Sequence, residues 1–452
     1  MSAAQVQAGA DADADVATYL DAALAVLRAA GCGGMVYCQR RSEWSARVRQ
    51  GAIERIESAL TGGMTVTALN TGNRGASATS TEVSLASARQ VAAQAVELSA
   101  WSDVDEWRGL PPAQECGVAG GDLQLSDPGY ADTDHQRLVD AAIAAERSAF
   151  AVDPRISLSH RSGASASRSQ VWVTSTAGVA MQRSGTSFGF HATVVAKSAA
   201  GERQSGSWHT SARMRGALRS AQEVGAEAGR RAVRGFDWRR IPSGAGRVLL
   251  HRDVASQLLG TLAQAVSGGL VFRGATFLAG KLGAMIASPQ VTITDAPLLP
   301  GHLGSRPCDG EGVRARTVTA IDQGRLASYL VDGYAARRLQ HPYTGHEGGV
   351  SNWQLQPGQA SFEDLLHELG TGLLVSGFQG FGVDLASGSF SKGITGFWVE
   401  QGRISHPVQE VTVAGSLPQL LMGIRTLGND PLEQTRVSAP SLIIDGFTVG
   451  GT

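Results

Sequence analysis

An alternation of apolar and polar residues with a period of two, from Gly34 to Asn70, constrains the fold of this chain more than any other sequence feature. The runs GMVYCQRR, WSARVRQG, AIERIESAL and GMTVTALN alternate in this way and are separated by small or turn-forming residues. Such alternation is typical of strands that bury one face only. These four runs therefore predict an antiparallel meander of short strands.

Helical patterns flank the alternating region on both sides. Apolar residues recur at helical spacing from Val16 to Ala30, and Gly31 is a suitable residue to end a helix. Beyond the meander, TSTE (Thr79–Glu82) predicts a capping box, and VSLASARQVAAQAVELSAW carries an apolar stripe. Helix, meander and helix predict an α+β layer in which one face of the sheet is covered.

Changes in residue composition along the chain predict its domain organisation. Residues 1–15 lack the basic and apolar regions of a signal peptide and are predicted to be a disordered lead. The stretch FDWRRIPSGAGR is rich in Pro, Gly and Ser and marks a boundary. The predicted fold class is α+β, with an amino-terminal helix and antiparallel-sheet domain over residues 16–240. A strand- and glycine-rich carboxyl-terminal domain is predicted over residues 241–452.

Further elements are predicted within both domains. A polar connection over residues 103–134 precedes a helix predicted over residues 135–150, and a second helix is predicted over residues 216–235. In the carboxyl-terminal domain, residues 361–369 predict a short helix with acidic residues near its start. The sequences DQGR and EQGR lie between alternating runs and predict hairpin turns.

Charge and cysteine content argue against several classes of function. The 39 Lys and Arg residues nearly balance 40 Asp and Glu residues, so no basic surface for nucleic acid is expected. Four cysteines without a CxxC pair predict reduced structural thiols. No window approaches the roughly 18 uninterrupted apolar residues of a membrane span. The chain is therefore expected to be cytoplasmic and to bind neither nucleic acid nor membranes directly.

Several segments of the carboxyl-terminal half resemble the TldD/PmbA family, and most closely its TldE (PmbA) branch. They occur in the order of the family and contain unusual tri- and tetrapeptides. The segments are SPQVTITDAP (288–297), CDGEGV (308–313), TGHEGGVSNW (344–353), GTGLLVSGFQGFGVDLASGSFSKGITGFWVEQGRISHPV (370–408) and LGNDP (427–431). VRQGAIERIE in the amino-terminal meander is also similar to the family.

The resemblance implies a cytosolic peptidase system in which a TldD chain and a TldE chain form a hollow heterodimer. In that system the TldD chain carries zinc on a His-Glu-x-x-x-His helix and on a cysteine near its carboxyl terminus. The pair trims unfolded or leader-bearing peptides, including precursors of modified peptide antibiotics. This chain is accordingly expected to join a TldD-like zinc protease subunit in a heterodimer or higher oligomer and to hold extended peptides.

His251, in LLHRDVASQLLG, lies where the first zinc ligand of the family is expected. A catalytic zinc needs three protein ligands, and a nearby carboxylate accepts a proton from the bound water. Arg252 occupies the position of that base and has no acceptor, and Ser256 replaces the second histidine. The segment from Leu427 onward has no cysteine. His251 is therefore interpreted as a degenerate ligand position that caps or packs at a helix start. No catalytic residue and no bound cofactor are expected in this chain, and zinc is expected in the partner subunit.

Two other His-Glu pairs do not predict a metal site. His367 is followed at the ligand spacings by Thr371 and Gly372, which cannot replace a histidine, so this pair is interpreted as part of an amphipathic helix. The pair at His346 lies among glycines that favour an irregular loop. Three interpretations of that loop remain open: a backbone loop against an extended peptide, a loop against the partner chain, or a tight turn anchored by Trp353.

Candidate residues for peptide binding or the partner interface come from the family-like segments. Asp309 and Glu311 lie in CDGEGV, which is near the peptide cleft in the family. Their carboxylates suit acid–base work, a metal, or acceptance of backbone N–H bonds within a turn. Phe397 and Trp398 are predicted on opposite faces of an exposed edge strand, which suits the addition of an extended peptide. The candidates are Asp309, Glu311, Thr344, His346, Gly348, Gly349, Asn352, Trp353, Phe390, Ser391 and Trp398.

Two other functions remain open at this point. The chain could be an autonomous, homo-oligomeric metallopeptidase with atypical ligands drawn from His251, His346, Asp309 and Cys308. It could instead be a non-catalytic peptide-binding or assembly protein. A neighbouring gene that encodes His-Glu-x-x-x-His would favour the heterodimer over both.

Overall fold

Three β-sheets organise the computed structural model of the chain, which describes residues 3–433 and 435–451. A seven-stranded sheet occupies the amino-terminal half. The carboxyl-terminal half contains a five-stranded sheet and a second seven-stranded sheet. Helices pack between and over these sheets. The predicted α+β class, with an amino-terminal helix and sheet domain followed by a strand-rich part, is confirmed.

The amino-terminal sheet is antiparallel and carries helices on one face. Its strands are β1 (Gly33–Arg49), β2 (Ala52–Leu69), β3 (Gly75–Ser80), β4 (Ile156–Ser159), β5 (Ser162–Ser175), β6 (Ala180–Lys197) and β7 (Arg203–Ala212). The helices of this half are α1 (Ala3–Ala29), α2 (Leu85–Trp101), α3 (His135–Phe150) and α4 (Ala221–Val233). The order is β3-β2-β1-β5-β6-β4, and β7 pairs with β6.

The alternation of the strands decides which face of this sheet the helices cover. Val36 and Met64 pack beneath α1 and α2, while Ala46 of the same strand as Val36 packs beneath α3 and α4. These even-numbered side chains share one face, because side chains alternate along a strand. The odd-numbered side chains, such as Tyr37, point to the opposite face, which faces loops of the carboxyl-terminal half.

The predicted meander of four short strands is wrong, because β1 and β2 form one long hairpin. Its pairing runs without a break from Gly33 opposite Leu69 to Arg49 opposite Ala52, with one bulge after Arg47. The Ser, Thr and Gly residues that looked like breaks are accommodated inside the strands, since β1 and β2 pair with each other across them and β5 pairs with the other side of β1.

Two helix starts also differ from their predictions. α1 begins at Ala3 rather than Val16, so most of the segment 1–15 predicted as a disordered lead is helical. Its alanine-rich sequence favours a helix, and its first two residues lie outside the described residues. α2 is capped by a box formed by Ser84 and Ser87 instead of by TSTE. α3 spans the predicted residues, and its N-cap is Asp134.

The carboxyl-terminal half has short strands and helices arranged around one large core. Its strands are β8 (Gly244–Leu250), β9 (Ile293–Asp295), β10 (Val318–Asp322), β11 (Arg325–Leu326), β12 (Trp353–Leu355), β13 (Gly372–Gln379), β14 (Val383–Asp384), β15 (Ser389–Glu400), β16 (Arg403–Ser416), β17 (Ile424–Leu427), β18 (Val437–Ser438) and β19 (Leu442–Gly450). Its helices are α5 (Arg252–Ala265), α6 (Gly268–Val271), α7 (Gly333–Arg338), α8 (Phe362–Leu369) and α9 (Leu417–Met422). The DQGR and EQGR hairpin turns are confirmed, with positive φ at Gln323, Gly324, Gln401 and Gly402.

Five strands of the carboxyl-terminal half close into a barrel. Neighbours pair in the order β13-β8-β19-β16-β15, and β15 pairs in turn with β13. The predicted exposed edge at GITGFWVE is therefore wrong, because β16 and β13 flank β15 on its two sides. Phe397 and Trp398 do lie on opposite faces, where they pack against two different apolar clusters. Among the described residues, no helix is both long and apolar enough to cross a bilayer.

Direct hydrogen bonds hold the two halves together. Arg213, just after β7, donates to the carbonyl oxygens of Leu303 (2.7 Å) and Ser305 (3.4 Å). The connection between α2 and α3 joins the same region, since Ala119 N donates to the Pro307 oxygen at 2.9 Å. The helix-free face of the amino-terminal sheet is thereby fixed opposite carboxyl-terminal loops.

Candidate functional site

A cleft of about 770 Å³ lies between the helix-free face of the amino-terminal sheet and the loops that contain CDGEGV and TGHEGG. Tyr37, Thr65 and Thr67 form part of its floor because odd-numbered residues of β1 and β2 point to this face. The opposite wall comes from the carboxyl-terminal half. Charged groups from both halves line it: Arg41, Arg183, Arg213, Arg306, Arg436, Glu311 and Glu347.

Two of these arginines, the buried Arg306 and the half-buried Arg213, support the wall. Arg213 donates to main-chain oxygens, and burial together with the charge of Arg183 lowers its pKa to about 10. Arg306 donates to the carbonyl oxygens of Gly345 and Gly349, and burial lowers the pKa of its guanidinium. Because guanidinium groups outnumber carboxylates on the lining, the cleft favours carbonyl and carboxylate oxygens of a ligand.

The two carboxylates predicted from CDGEGV have different surroundings. Asp309 is buried and accepts hydrogen bonds from the backbone nitrogens of Glu311 (2.9 Å), Val313 (2.9 Å) and Glu347 (3.1 Å). It therefore shapes the turn, although burial raises its pKa. Glu311 lines the cleft, and burial together with the charge of Asp309 raises its pKa to about 7. One oxygen of Glu311 accepts from Gly333 N at 2.6 Å, so its carboxyl group is positioned and can exchange a proton near neutral pH.

His346 points into the protein rather than into the cleft. Its Nε2 lies 3.0 Å from Asp295 Oδ2, and its Nδ1 lies 3.0 Å from Thr344 Oγ1. Asp295 also accepts hydrogen bonds from the backbone and side chain of Ser351. This buried polar network fixes the loop as a tight turn, while Gly348 and Glu347 beside it line the cleft. The turn and peptide-loop interpretations are thus compatible, since the buried side chains hold a backbone that borders the cleft.

The structure brings only some of the predicted residues to the cleft. Glu311 and Gly348 line it. Asn352 and Trp353 are fully buried, and the Trp353 Nε1 donates to the Leu259 oxygen at 3.0 Å. The remaining candidates lie outside the cleft lining. Gly349 is exposed next to Gly348 in the same loop. Phe390 belongs to the apolar core, and Ser391 and Trp398 lie further along the same strand, β15.

A second cavity, of about 470 Å³, lies at the start of α5, where the resemblance placed the zinc helix. His251 is the N-cap of α5, as predicted: its side chain accepts from Asp253 N at 3.4 Å. Asp253 Oδ2 lies 2.6 Å from Arg231 Nη2, and the Arg231 guanidinium stacks 3.9 Å from the ring centroid of Trp208. Burial favours the neutral acid, but the hydrogen bond with His251 and the charge of Arg231 lower the pKa of Asp253 to about 2.

These residues do not fit a zinc ion. The Ser256 hydroxyl accepts a hydrogen bond from Ala439 N at 3.1 Å and is buried under the helix. The Arg252 guanidinium donates a hydrogen bond to the main-chain carbonyl oxygen of Asp430 at 3.4 Å. The carboxylate of Asp253 is already neutralised by Arg231. The atypical set of ligands is not assembled either. Across residues 3–433 and 435–451, no three or more His, Cys, Asp or Glu side chains form a group that could hold a metal.

Sequence reasoning missed the arginines of the cleft and the ion pair at α5. The parity of β1 and β2 could have identified Tyr37, Thr65 and Thr67 as one surface. Arg183, Arg213 and Arg436 come from distant segments that only the tertiary fold brings together, and no local pattern distinguishes them from other surface arginines.

Comparison with known proteins identifies the class to which this fold and cleft belong. Family models described as PmbA/TldA metallopeptidase domain 1, central domain and C-terminal domain match residues 34–99, 129–236 and 243–451. The chain belongs to the PmbA/TldD metallopeptidase family, which confirms the resemblance found in its sequence. The domain predicted over residues 16–240 was expected to combine the N-terminal and central parts of the family, and the models of domain 1 and of the central domain both match within it.

Individual relatives cover nearly the whole chain. Metalloprotease PmbA of Escherichia coli O157:H7 is 30% identical over 419 residues, which are 93% of this chain and 92% of that protein. A crystal structure from Bacteroides thetaiotaomicron, of a proposed modulator of DNA gyrase, is 25% identical with a TM-score of 0.89 and covers 96% of this chain and 98% of that one. TldE from Thermococcus kodakarensis has a TM-score of 0.81 at 19% identity over 93% of this chain and 97% of that one, which shows a common fold.

Proposed function

We propose that this chain is a cytoplasmic, non-catalytic TldE/PmbA-like subunit that supports a TldD-like zinc subunit in the proteolysis of unfolded or leader peptides. The observation that carries the proposal is the Arg231–Asp253 ion pair at the start of α5. A guanidinium is held 2.6 Å from this carboxylate, two residues after His251, the position at which the resemblance places the family's first zinc ligand.

Charge supports the proposal that this arrangement does not bind a metal. Arg252, next to His251 in the sequence, is a permanent cation, so it would repel a divalent ion. The carboxylate of Asp253 is neutralised by Arg231 and the His251 ring caps the helix, so neither group is available as a ligand. Hydrolysis therefore requires a zinc ion and a general base from another subunit.

The cleft gives this subunit a role in holding the peptide. Hydroxyl groups of Tyr37, Thr65 and Thr67 and the guanidinium groups of Arg183 and Arg436 can bond to peptide carbonyl oxygens irrespective of sequence. Such contacts suit extended, unfolded chains of varied composition, including the leaders of modified peptides. The TldD-like partner and the extended peptide are the two ligands of this proposal.

Metal content and hydrolysis test the proposal together. The chain is purified alone and together with a TldD-like subunit that carries His-Glu-x-x-x-His, and zinc and cleavage of an unfolded peptide are measured. We expect zinc and hydrolysis only with the partner, and loss of both when the partner's two histidines are replaced by alanine. One equivalent of zinc with hydrolysis by this chain alone would contradict the proposal.

The role of the cleft is tested by filling it. Thr67→Trp adds an indole to the cleft floor. Ala52→Trp is the matched control, because Ala52 is an exposed residue on the same strand and face, and neither it nor its cross-strand partner Arg49 lines the cleft. We expect Thr67→Trp to lower peptide cleavage by the two-subunit complex about ten-fold or more, and Ala52→Trp to leave it unchanged. Equal activity of both variants would exclude the cleft as the peptide site.

A further inference from the structure

Four arginines of the cleft lining come from distant segments of the chain and share one property, the lack of an ion pair. They are Arg183, Arg213, Arg306 and Arg436. In the part of the chain that the structure describes, no Asp or Glu side chain forms an ion pair with any of the four. The cleft therefore concentrates unbalanced positive charge in a protein whose 39 basic and 40 acidic residues nearly cancel.

The hydrogen bonds of these arginines do not neutralise their charge. Arg213 and Arg306 donate to main-chain carbonyl oxygens of neighbouring loops. Arg436 is exposed, and its Nη2 donates to the Val350 oxygen at 2.7 Å. A carbonyl oxygen satisfies a donor but carries no formal charge, so each guanidinium remains a cation. An anionic group bound in the cleft would supply the missing negative charge.

The four cations lie close enough to act on one another. Burial, together with the charges of Arg183 and Arg436, lowers the pKa of Arg213 to about 10. Burial also lowers the pKa of Arg306, and the charges of Arg183 and Arg436 add to this effect while two nearby carboxylates oppose it. Like charges that are grouped in a concave site with low-dielectric walls focus the electric field on a ligand. The arginines thus form one positive site.

Two carboxyl groups of the lining reduce this positive charge only in part. Burial and the charge of Asp309 raise the pKa of Glu311 to about 7, so that about half of its carboxyl group is neutral at pH 7. Burial and Asp309 also raise the pKa of Glu347. These two groups supply at most two negative charges against four guanidinium groups. The cleft is therefore positively charged at neutral pH.

The floor of the cleft matches a short extended segment. Its side chains come from four neighbouring strands in the order β2, β1, β5 and β6, and Thr67, Tyr37, Ser169 and Arg183 represent them. Three strand spacings of about 4.8 Å amount to about 14 Å, the length of about four extended residues. A segment of this length fits between the floor, which carries Arg183, and the wall, which carries Arg436.

We propose that the cleft prefers acidic segments of extended peptides, and that Arg183 and Arg436 determine this preference. The inference rests on the proposed function, because it takes an extended peptide as the occupant of the cleft. The hydroxyl groups of the floor hold the main chain of any sequence. The guanidinium groups then discriminate among side chains, since Asp and Glu carboxylates match their planar fork of donors. Arg213 and Arg306 add charge but are committed to the wall.

Peptide binding tests the preference. Labelled Gly/Ser peptides, in which every third residue is Asp, Asn or Lys, are titrated with the full chain, and fluorescence anisotropy is measured. The titration is repeated with the complex whose TldD-like subunit has lost both zinc-binding histidines. We expect the Asp peptide to bind about ten-fold or more tightly than the isosteric Asn peptide, and the Lys peptide to bind most weakly. The difference should shrink when NaCl is raised from about 50 to about 500 mM.

Substitutions test the two arginines. Arg183→Gln and Arg436→Gln should each lower the ratio of Asp-peptide to Asn-peptide affinity about three-fold or more, and the double variant should bring it close to one. Arg183→Lys keeps the charge without the fork and should retain part of the preference. Arg168→Gln is the matched control, because Arg168 is an exposed arginine of β5 that does not line the cleft, and it should leave the ratio unchanged.

The outcomes are separate from those of the proposed function, since neither zinc nor hydrolysis is measured. Equal affinity of the wild-type chain for Asp and Asn peptides would refute the preference and leave peptide holding intact. A preference that persists in the double variant would refute the role of both arginines. Absence of binding for every peptide would contradict peptide holding as well. A single-stranded oligonucleotide that displaces the Asp peptide at a lower concentration than the unlabelled peptide does would identify a phosphate site instead and overturn the inference.

Discussion

Glu311 is the residue at which burial and proton binding are most directly linked. Its carboxyl group lies in the wall of the cleft, and its pKa is raised from 4.5 to about 7 by burial and by Asp309. Between these values the carboxyl group is protonated in the folded state and ionised in the unfolded state. The free energy of unfolding therefore falls as the pH rises through this window, and the loss is constant above it.

Glu311→Gln is expected to remove this pH dependence while it keeps an acceptor for Gly333 N. At pH 4.5 the variant and wild type should have similar stability, and at pH 8 the variant should be more stable by about 2–3 kcal/mol. Urea unfolding at both pH values measures the difference. Glu106→Gln, at an exposed carboxylate, should show no such change. Equal pH dependence of wild type and Glu311→Gln would show that Glu311 ionises normally.

The Arg231–Asp253 pair makes a second prediction at the scale of single residues. Both side chains are largely buried, with 16% and 14% of their surface exposed. Arg231→Met leaves a buried carboxylate without its cation and should lower the free energy of unfolding by about 3–5 kcal/mol. Asp253→Asn should be comparably harmful, and the double variant should lose less than the sum by about 1–3 kcal/mol. Additive losses in denaturant unfolding would mean that the pair is not coupled.

Part of the site was predictable from single residues and part was not. The N-cap role of His251 followed from its position before an apolar helical stripe. Arg252 and Ser256 were recognisable as unsuitable zinc ligands from the chemistry of their side chains. The partner of Asp253 could not be predicted, because Arg231 lies in a different helix and reaches it only through the packing of the two halves.

Close helix crossing depends on glycine in the amino-terminal domain. At Gly225 in α4, a Cβ atom would lie 2.0 Å from the Ala145 oxygen of α3. The two helices therefore approach each other more closely than any larger residue permits. Gly260 in α5 is different, since a Cβ atom there would meet no other atom within 4 Å.

Alanine substitutions at these two helical glycines should have opposite effects. Gly225→Ala is expected to lower the free energy of unfolding by about 2 kcal/mol or more, because the helices must separate. Gly260→Ala should raise it by up to about 1 kcal/mol, because alanine favours the helix over the unfolded chain. Thermal and urea unfolding distinguish the signs. Equal effects of both substitutions would contradict the close crossing.

Elements with local signals were predicted well, and long strands were not. α3 spans the predicted residues 135–150, and the structure shows a local signal for its start, the N-cap Asp134. The β1–β2 hairpin was predicted as four short strands because Ser42 and Thr61 interrupt the apolar and polar alternation of the sequence. Ser42 and Thr61 lie opposite Leu60 and Arg41 within the hairpin, and β5 gives Ser42 a second neighbour that the hairpin's own sequence cannot reveal.

At the scale of the whole molecule, the cleft exists because the two halves are held at a fixed distance. Arg213 contributes to this contact through its hydrogen bonds to carbonyl oxygens of the loop at residues 302–305. The charge on the donor makes each bond stronger than one between neutral groups. The shape of the cleft is therefore sensitive to one side chain that lies between the domains.

Arg213→Met should loosen this contact while the two cores remain folded. The expected loss in free energy of unfolding is about 2–4 kcal/mol. Hydrogen exchange should accelerate in residues 302–306 more than in α3 or in the barrel. Arg137→Met, at an exposed arginine, serves as the control. Unchanged exchange at residues 302–306 would show that Arg213 does not hold the loop.

The closed barrel also sets the order in which the protein can be made. β8 emerges from the ribosome about 200 residues before β19, with which it pairs along most of its length. Until β19 has been synthesised, β8 and β16 each lack one neighbour, and the ring stays open around its apolar interior. Nascent chains should therefore acquire a protease-resistant amino-terminal domain early, and a protected carboxyl-terminal domain only at the end of translation.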